Sequence, residues 1–176
     1  MALRAIIEAP DPLLRQVSRP VVTFDADLCT LVEDMLETMY DAPGIGLAAI
    51  QVGEPLRLLV IDLQEPESDE EDAPGVKNPR IFVNPALSDP SDDLSIYNEG
   101  CLSVPEIYVE VERPAIICVR WQDLAGERHE AMMTGMMATV IQHEMDHLEG
   151  ILSIDYLSRL KRQMALKKLD KLRKAA

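Results

Sequence analysis

The sequence predicts an α+β fold, with largely antiparallel sheets around a central metal-binding helix and a further helix at the C-terminus. Three observations carry this. Short β-rich runs fill the middle of the chain, from Arg57 to Met132. Helical apolar spacing is confined to a segment before them and two segments after them. Strands grouped apart from helices, rather than alternating with them, are the mark of α+β organisation.

Along the chain, Asp11 to Val17 reads as a short turn or helix. A helix opens after Thr23 or Asp25, because Leu28, Leu31, Val32, Met35, Leu36 and Met39 recur at helical spacing. Glu33, Asp34 and Glu37 form its acidic outer face, Cys29 is read as core, and Pro43-Gly44 stops it. A loop then runs from Gly44 to Gln51, and Arg57–Leu63 is strand-like. Residues 65–77 are acidic and carry Pro66, Pro74 and Gly75, the composition of an exposed loop. Strands are expected at 80–83, 94–97, 107–112, 115–121 and 128–132, the last two joined by the turn Asp123-Leu124-Ala125-Gly126. Cys118, inside Ile116-Ile117-Cys118-Val119, is read as core. A terminal helix starts near Tyr156, with Leu157, Leu160 and Met164 on one face. No internal repeat is present, and 176 residues suit one domain over residues 1–176.

Composition narrows the function classes. No run of 18 apolar residues occurs, and the N-terminus is interrupted by Glu8 and Pro10 too early for a secretion signal. Three cysteines give no disulfide framework and suit a reducing cytoplasm. The formal charge of −14 divides unevenly: residues 157–176 hold eight cations against Asp170 alone, +7, leaving −21 for the remainder. An acidic body argues against a general nucleic-acid binder, the basic tail being a local exception.

Chemistry concentrates in Gln142-His143-Glu144-Met145-Asp146-His147, which contains an H-E-x-x-H motif. At 3.6 residues per turn His143 and His147 project from one helix face and can chelate one metal ion. Glu144, beside the first ligand, can take a proton from a water there. Two core histidines would satisfy the same spacing. Against that, the chain has only three histidines, two of them here, on a helix entered through the apolar run Met136–Ile141. An open catalytic site needs a third protein ligand. Downstream, the histidine of longer zinc-protease motifs is replaced by Ser153, no Glu follows Glu149, and Asp155 and Asp170 remain formal candidates. Upstream, Glu99-Gly100-Cys101-Leu102-Ser103 offers a thiolate in a loop, which with two imidazoles would give a tetrahedral site with one open position.

Gly44-Ile45-Gly46-Leu47-Ala48-Ala49-Ile50-Gln51, Glu99-Gly100-Cys101-Leu102-Ser103 and Gln142–His147 resemble, in order, the three signature motifs of the peptide deformylase family, and the resemblance covers nearly the whole chain. It implies hydrolysis of the N-formyl group from the starting methionine of new polypeptides. It assigns one divalent ion to Cys101, His143 and His147, with Fe(II) preferred and zinc, nickel or cobalt accepted by the same donors. Glu144 becomes the general base, and the Gln51 side chain and Leu102 amide become donors to the oxyanion. Gly44, Ile45 and Gly46 would approach the substrate backbone. Ile45, Met136, Thr139 and Val140 would form a slot for the methionine side chain, although each also fits a plain core or turn. Tyr108 stands where some relatives carry an Arg at the groove, and would supply an aromatic wall or simply face a neighbouring strand. The resemblance also implies a cytoplasmic monomer that approaches ribosomes through the basic helix 157–176, with no membrane partner. Two rivals remain: a zincin-type endopeptidase, and a closed structural metal site, for which His129 is the only spare histidine.

Overall fold

The computed structural model describes residues 1–176. Its three helices and seven strands follow the expected order of elements. Helix α1 (Ala26–Asp41) starts where Asp25 accepts the Leu28 N–H through its side chain, satisfying one of the free donors at the helix start. Leu28, Leu31, Val32, Met35 and Met39 make one buried stripe along it.

Strand β1 (Gly46–Ala48) lies inside what the sequence suggests is a loop, followed by a 3-10 turn at Ala49–Val52. It pairs antiparallel with β2 (Leu58–Ile61), placing Gly46 opposite Ile61. Strands β3 (Arg80–Ser88), β6 (Ile116–Gln122) and β7 (Arg128–Thr134) complete a five-stranded sheet in the order β1-β2-β3-β6-β7, all neighbours antiparallel. Strands β4 (Leu94–Cys101) and β5 (Val104–Pro114) pair separately as a long hairpin.

Both faces of the larger sheet are covered, which explains why β2 reads as an unbroken apolar run rather than an alternating one. Leu59 and Ile61 face helix α2 (Gly135–Leu148), packing with Phe82, Ile117, Val119 and the helix residues Ala138, Ile141 and Leu148. Leu58 and Val60, on the opposite side of the pleat, pack with α1. A third core joins the inward side of β5 (Val104, Ile107, Val109, Val111) to Leu152, Ile154 and helix α3 (Arg159–Ala175). Helix α2 therefore stands between the sheet and the hairpin. No helix is long and apolar enough to cross a membrane.

Several expectations need correction. Cys29 is exposed on α1, one position off its buried stripe, whereas Cys118 is buried as expected. Asp34 is buried rather than on the outer face: the N-terminal segment crosses α1, and Asp34 accepts the Ala2 N–H at 2.8 Å and Arg4 Nε at 3.0 Å. Cys101 closes strand β4, and only Leu102 and Ser103 turn the hairpin. Helix α3 starts three residues later than expected, capped by Ser158, and Ser153–Tyr156 is a separate 3-10 turn. Its anchor is also rotated. Leu160 and Met164 are 68% and 61% exposed, while Ala165 and Leu169 are buried beneath β5. Starting the helix after Leu157 shifts the inward positions by several residues, which periodicity in a short basic helix does not reveal.

Candidate metal centre and active site

Helix α2 brings the motif residues into the interior. Gly135, at φ +56°, opens the helix and Gly150, at φ +74°, ends it, both in the left-handed region where side chains strain the backbone. A Cβ on Gly150 would also lie 2.4 Å from the Arg15 carbonyl oxygen, so the exit has no room for one. Between them His143, Glu144 and His147 are all buried.

Cys101, at the end of β4, meets this helix: its Sγ lies 3.4 Å from His147 Nε2. The imidazoles of His143 and His147 stand nearly perpendicular, with ring centroids 5.2 Å apart. One donor atom from each of Cys101, His143 and His147 lies within 4.8 Å of the other two. Asp155 and Asp170 are elsewhere, paired with Arg15 and Lys174 respectively. His129 is at the surface, bonded to Asp123.

This trio suits a metal ion on two further grounds. A thiol and two imidazoles form a donor set for borderline divalent ions and leave a fourth position open. Glu144 Oε2 is buried without a hydrogen-bond partner beside the trio, an expensive arrangement unless something polar occupies the space next to it. Burial pushes the Glu144 carboxyl up to about 7, with the Glu99 and Asp146 carboxylates adding to the rise and His143 and Arg113 opposing it. Burial likewise holds His147 well below the ordinary histidine value, whereas at His143 burial is outweighed by the hydrogen bonds to Cys101 and Glu99, which raise it.

Behind His143 lies a network absent from the sequence-based site. His143 Nδ1 donates to Glu99 Oε1 at 2.8 Å, which leaves Nε2 for the trio. Glu99 is gripped by Arg113, Nε to Oε2 at 2.8 Å and Nη2 to Oε1 at 2.9 Å. Burial opposes charge on Glu99, yet Arg113 and His143 outweigh it and hold the carboxyl below its ordinary value. Arg113 also reaches Asp146 at 2.9 Å, and Asp146 accepts the Tyr156 hydroxyl at 2.6 Å. The signal was present: Arg113 follows Ile107, Val109 and Val111 at every second position, so the alternation places a charge on the buried face of β5.

In front of the trio opens a cleft of about 720 Å³. It is lined by Cys101, His143 and Glu144, by Gln51 and Leu102, and by Gly44, Ile45, Gly46, Tyr108, Met136, Thr139 and Val140. His147 lies behind this lining. The structure thus gathers the residues quoted from the three motifs, with Tyr108, Met136, Thr139 and Val140, in or directly behind the wall of one cavity, and leaves Asp155, Asp170 and His129 outside it. The Leu102 N–H makes no backbone hydrogen bond within the protein. Gly46 must lack a side chain, since a Cβ there would sit 2.7 Å from Glu144 Oε1 and 3.0 Å from Val140 Cγ1. Ile45 and Met136, each 40% exposed, form the rim of the cleft, while Thr139 and Val140 are buried deeper. Tyr108 crosses the hairpin over Gly100, where a Cβ would meet its ring at 2.9 Å.

An α+β fold with a Cys-His-His donor set, a buried glutamate and an open cleft defines a metal-dependent hydrolase. Comparisons with known proteins place it more narrowly. The family model for polypeptide deformylase matches residues 3–163. A peptide deformylase of Novosphingobium aromaticivorans is 66% identical, the match covering 100% of both chains. The crystal structure of a peptide deformylase from Legionella pneumophila is 42% identical, with a TM-score of 0.88, covering 99% of this chain and 97% of that one. That of the Ehrlichia chaffeensis peptide deformylase in complex with actinonin is 37% identical, with a TM-score of 0.89, covering 97% and 98%. The chain belongs to the polypeptide deformylase family.

Proposed function

We propose that the chain removes the N-formyl group from formyl-methionyl nascent peptides using Cys101, His143 and His147 as metal ligands and Glu144 as proton carrier. Metal-dependent deformylation is the activity of the family, and the assignment of these residues to it rests above all on the convergence of the three donors beside Glu144 at one cleft, with His147 behind its lining. Cys101, His143 and His147 would hold the ion, which would supply Lewis acidity and bring a water's pKa towards neutrality. Fe(II) is our choice of ion, the soft thiolate with two imidazoles accepting zinc, nickel or cobalt as well.

The chain's own groups do the rest. Glu144 takes the proton of the attacking water and passes it to the departing amine. The Gln51 amide and the Leu102 N–H receive the formyl oxygen as it gains charge. Gly44, Ile45 and Gly46 line up the peptide backbone, and Tyr108 walls the outer end. Ile45, Met136, Thr139 and Val140 hold the methionine side chain. Anaerobic release of formate from formyl-Met-Ala-Ser, with metal analysis of the same sample, tests the reading. A metal-loaded protein that releases no formate would refute it.

We further propose that the chain works as a cytoplasmic monomer, one catalytic unit over residues 1–176, and meets the ribosome through α3. Ala165 and Leu169 anchor that helix, leaving Lys167, Lys171 and Arg173 exposed for RNA phosphates. Truncation after Met164 would remove this anchor, so charge reversal is the better probe. Lys167→Glu with Lys171→Glu should reduce co-sedimentation with ribosomes at low salt, as counterion release requires. Equal pelleting of variant and wild type would reject the docking role.

A further inference from the structure

Gln51 is held by more contacts than its proposed role alone demands. Its Oε1 accepts the Ala48 N–H at 2.9 Å, which fixes the end of the amide that carries nitrogen. That nitrogen has two hydrogens. One goes to Ser103 Oγ, 2.9 Å away. The other points to Cys101, whose Sγ accepts it weakly at 3.8 Å from Nε2. Ser103 is fully buried, and its hydroxyl makes this hydrogen bond and no other. The N-terminal segment braces both residues: Ile7 N–H donates to the Gln51 carbonyl at 2.7 Å, and Ala9 N–H to the Ser103 carbonyl at 2.9 Å.

From this geometry we infer that Ser103 is a positioning residue: its hydroxyl holds one N–H of Gln51 so that the other is aimed at the formyl oxygen. The inference rests on the reading of Gln51 as an oxyanion donor. The terminal torsion of a glutamine is broad and roughly two-fold, so the side chain does not choose an amide plane by itself. A donor helps most when it is already oriented before charge develops. Without the hydroxyl, the N–H that Ser103 now accepts loses its partner, and the amide turns about its terminal torsion away from the plane in which its other N–H faces the Cys101 side of the cleft. Loss of orientation should lower kcat and leave KM, since the interaction grows only in the transition state.

The test compares Gln51→Ala, Ser103→Ala and the double variant at equal metal content. Gln51→Ala should lower kcat by about 10²- to 10³-fold, the usual effect of removing an oxyanion donor. Ser103→Ala should lower it by about tenfold with KM within about twofold, and the double variant should be no slower than Gln51→Ala. If Ser103→Ala slows the enzyme by the same factor with and without Gln51, the hydroxyl serves only the fold and the inference is overturned. An unchanged kcat in Gln51→Ala removes the donor reading itself, and Ser103's role with it. A second measurement needs neither turnover nor a stable variant. In zinc-loaded wild type labelled with 15N-glutamine, the Gln51 side-chain amide should show one proton shifted downfield by its bond to Ser103. Two ordinary, solvent-like amide signals would overturn the inference.

Discussion

Arg113→Met should destabilise the protein far more than removal of a surface charge would. Arg113 and Glu99 side chains are 6% and 5% exposed, and two short hydrogen bonds join them. Methionine matches the length of the aliphatic stem but leaves Glu99 ionised, desolvated and held only by His143. Breaking one partner of such a buried pair costs about 3–5 kcal/mol. The same change loosens Glu99, which orients the His143 ring, so metal affinity should fall by about 10- to 100-fold as it does when groups behind a ligand are lost. Denaturant unfolding gives the first quantity, and competition with a chelator gives the second. The double variant Arg113→Met, Glu99→Met removes both charges and should recover much of the lost stability, though not the metal affinity. A loss under about 1 kcal/mol in Arg113→Met, with metal affinity unchanged, would refute this reasoning, since that is the scale of an exposed pair.

Gly46→Ala should leave the fold intact but lower kcat/KM by about tenfold or more, because the new Cβ lies 2.7 Å from Glu144 Oε1 and must displace the proposed proton carrier; wild-type rates would show that the carboxylate has room to spare. Asp34 is held below its ordinary value of 3.8 mainly by Arg4, with burial opposing and the Ala2 N–H assisting. Its contribution to stability is therefore complete above 3.8 and disappears as pH falls through the lower folded value. Asp34→Asn should accordingly be less stable than wild type at pH 6, with the gap closing in acid; a gap unchanged at the lowest pH would contradict the sign. Formyl-Met peptides should exceed formyl-Gly peptides in kcat/KM, with each lost methylene contact worth about 1 kcal/mol, and equal values would remove the side-chain slot from the account.

Local patterns made most of the fold legible. The stripe read on α1 is the face the structure covers, and the strands read at Arg57–Leu63 and 107–112 form β2 and part of β5, whose buried faces then follow from their apolar run and their alternation. The misreadings share a cause: a partner distant in sequence. Asp34 looked exposed because nothing on α1 announces that Arg4 and Ala2 lie across it. Leu160 and Met164 looked like an anchor because the true helix start was set by Ser158 and the packing of Leu169 under β5. Strand β1 is three residues long, too short for a period to show. At the site, H-E-x-x-H spacing alone supports the histidines and Glu144. Cys101 was one candidate third ligand from its donor chemistry, beside Asp155 and Asp170, and only the family resemblance chose it and assigned Gln51 and Leu102, because the trio is completed by the β4–β5 hairpin folding onto α2. Glu99 was quoted within a motif without a role, since its partners Arg113 and His143 lie 14 and 44 residues away.

In the proposed mechanism three side chains hold the metal while a fourth moves the proton. The direct measurement is anaerobic formate release beside metal content for Glu144→Ala and His147→Ala. Glu144→Ala should keep near-stoichiometric metal and lose about 10²-fold or more in rate, the scale of general acid–base catalysis. His147→Ala should lose metal and rate together. Full activity in metal-loaded Glu144→Ala, or full metal retention in His147→Ala, would contradict the account.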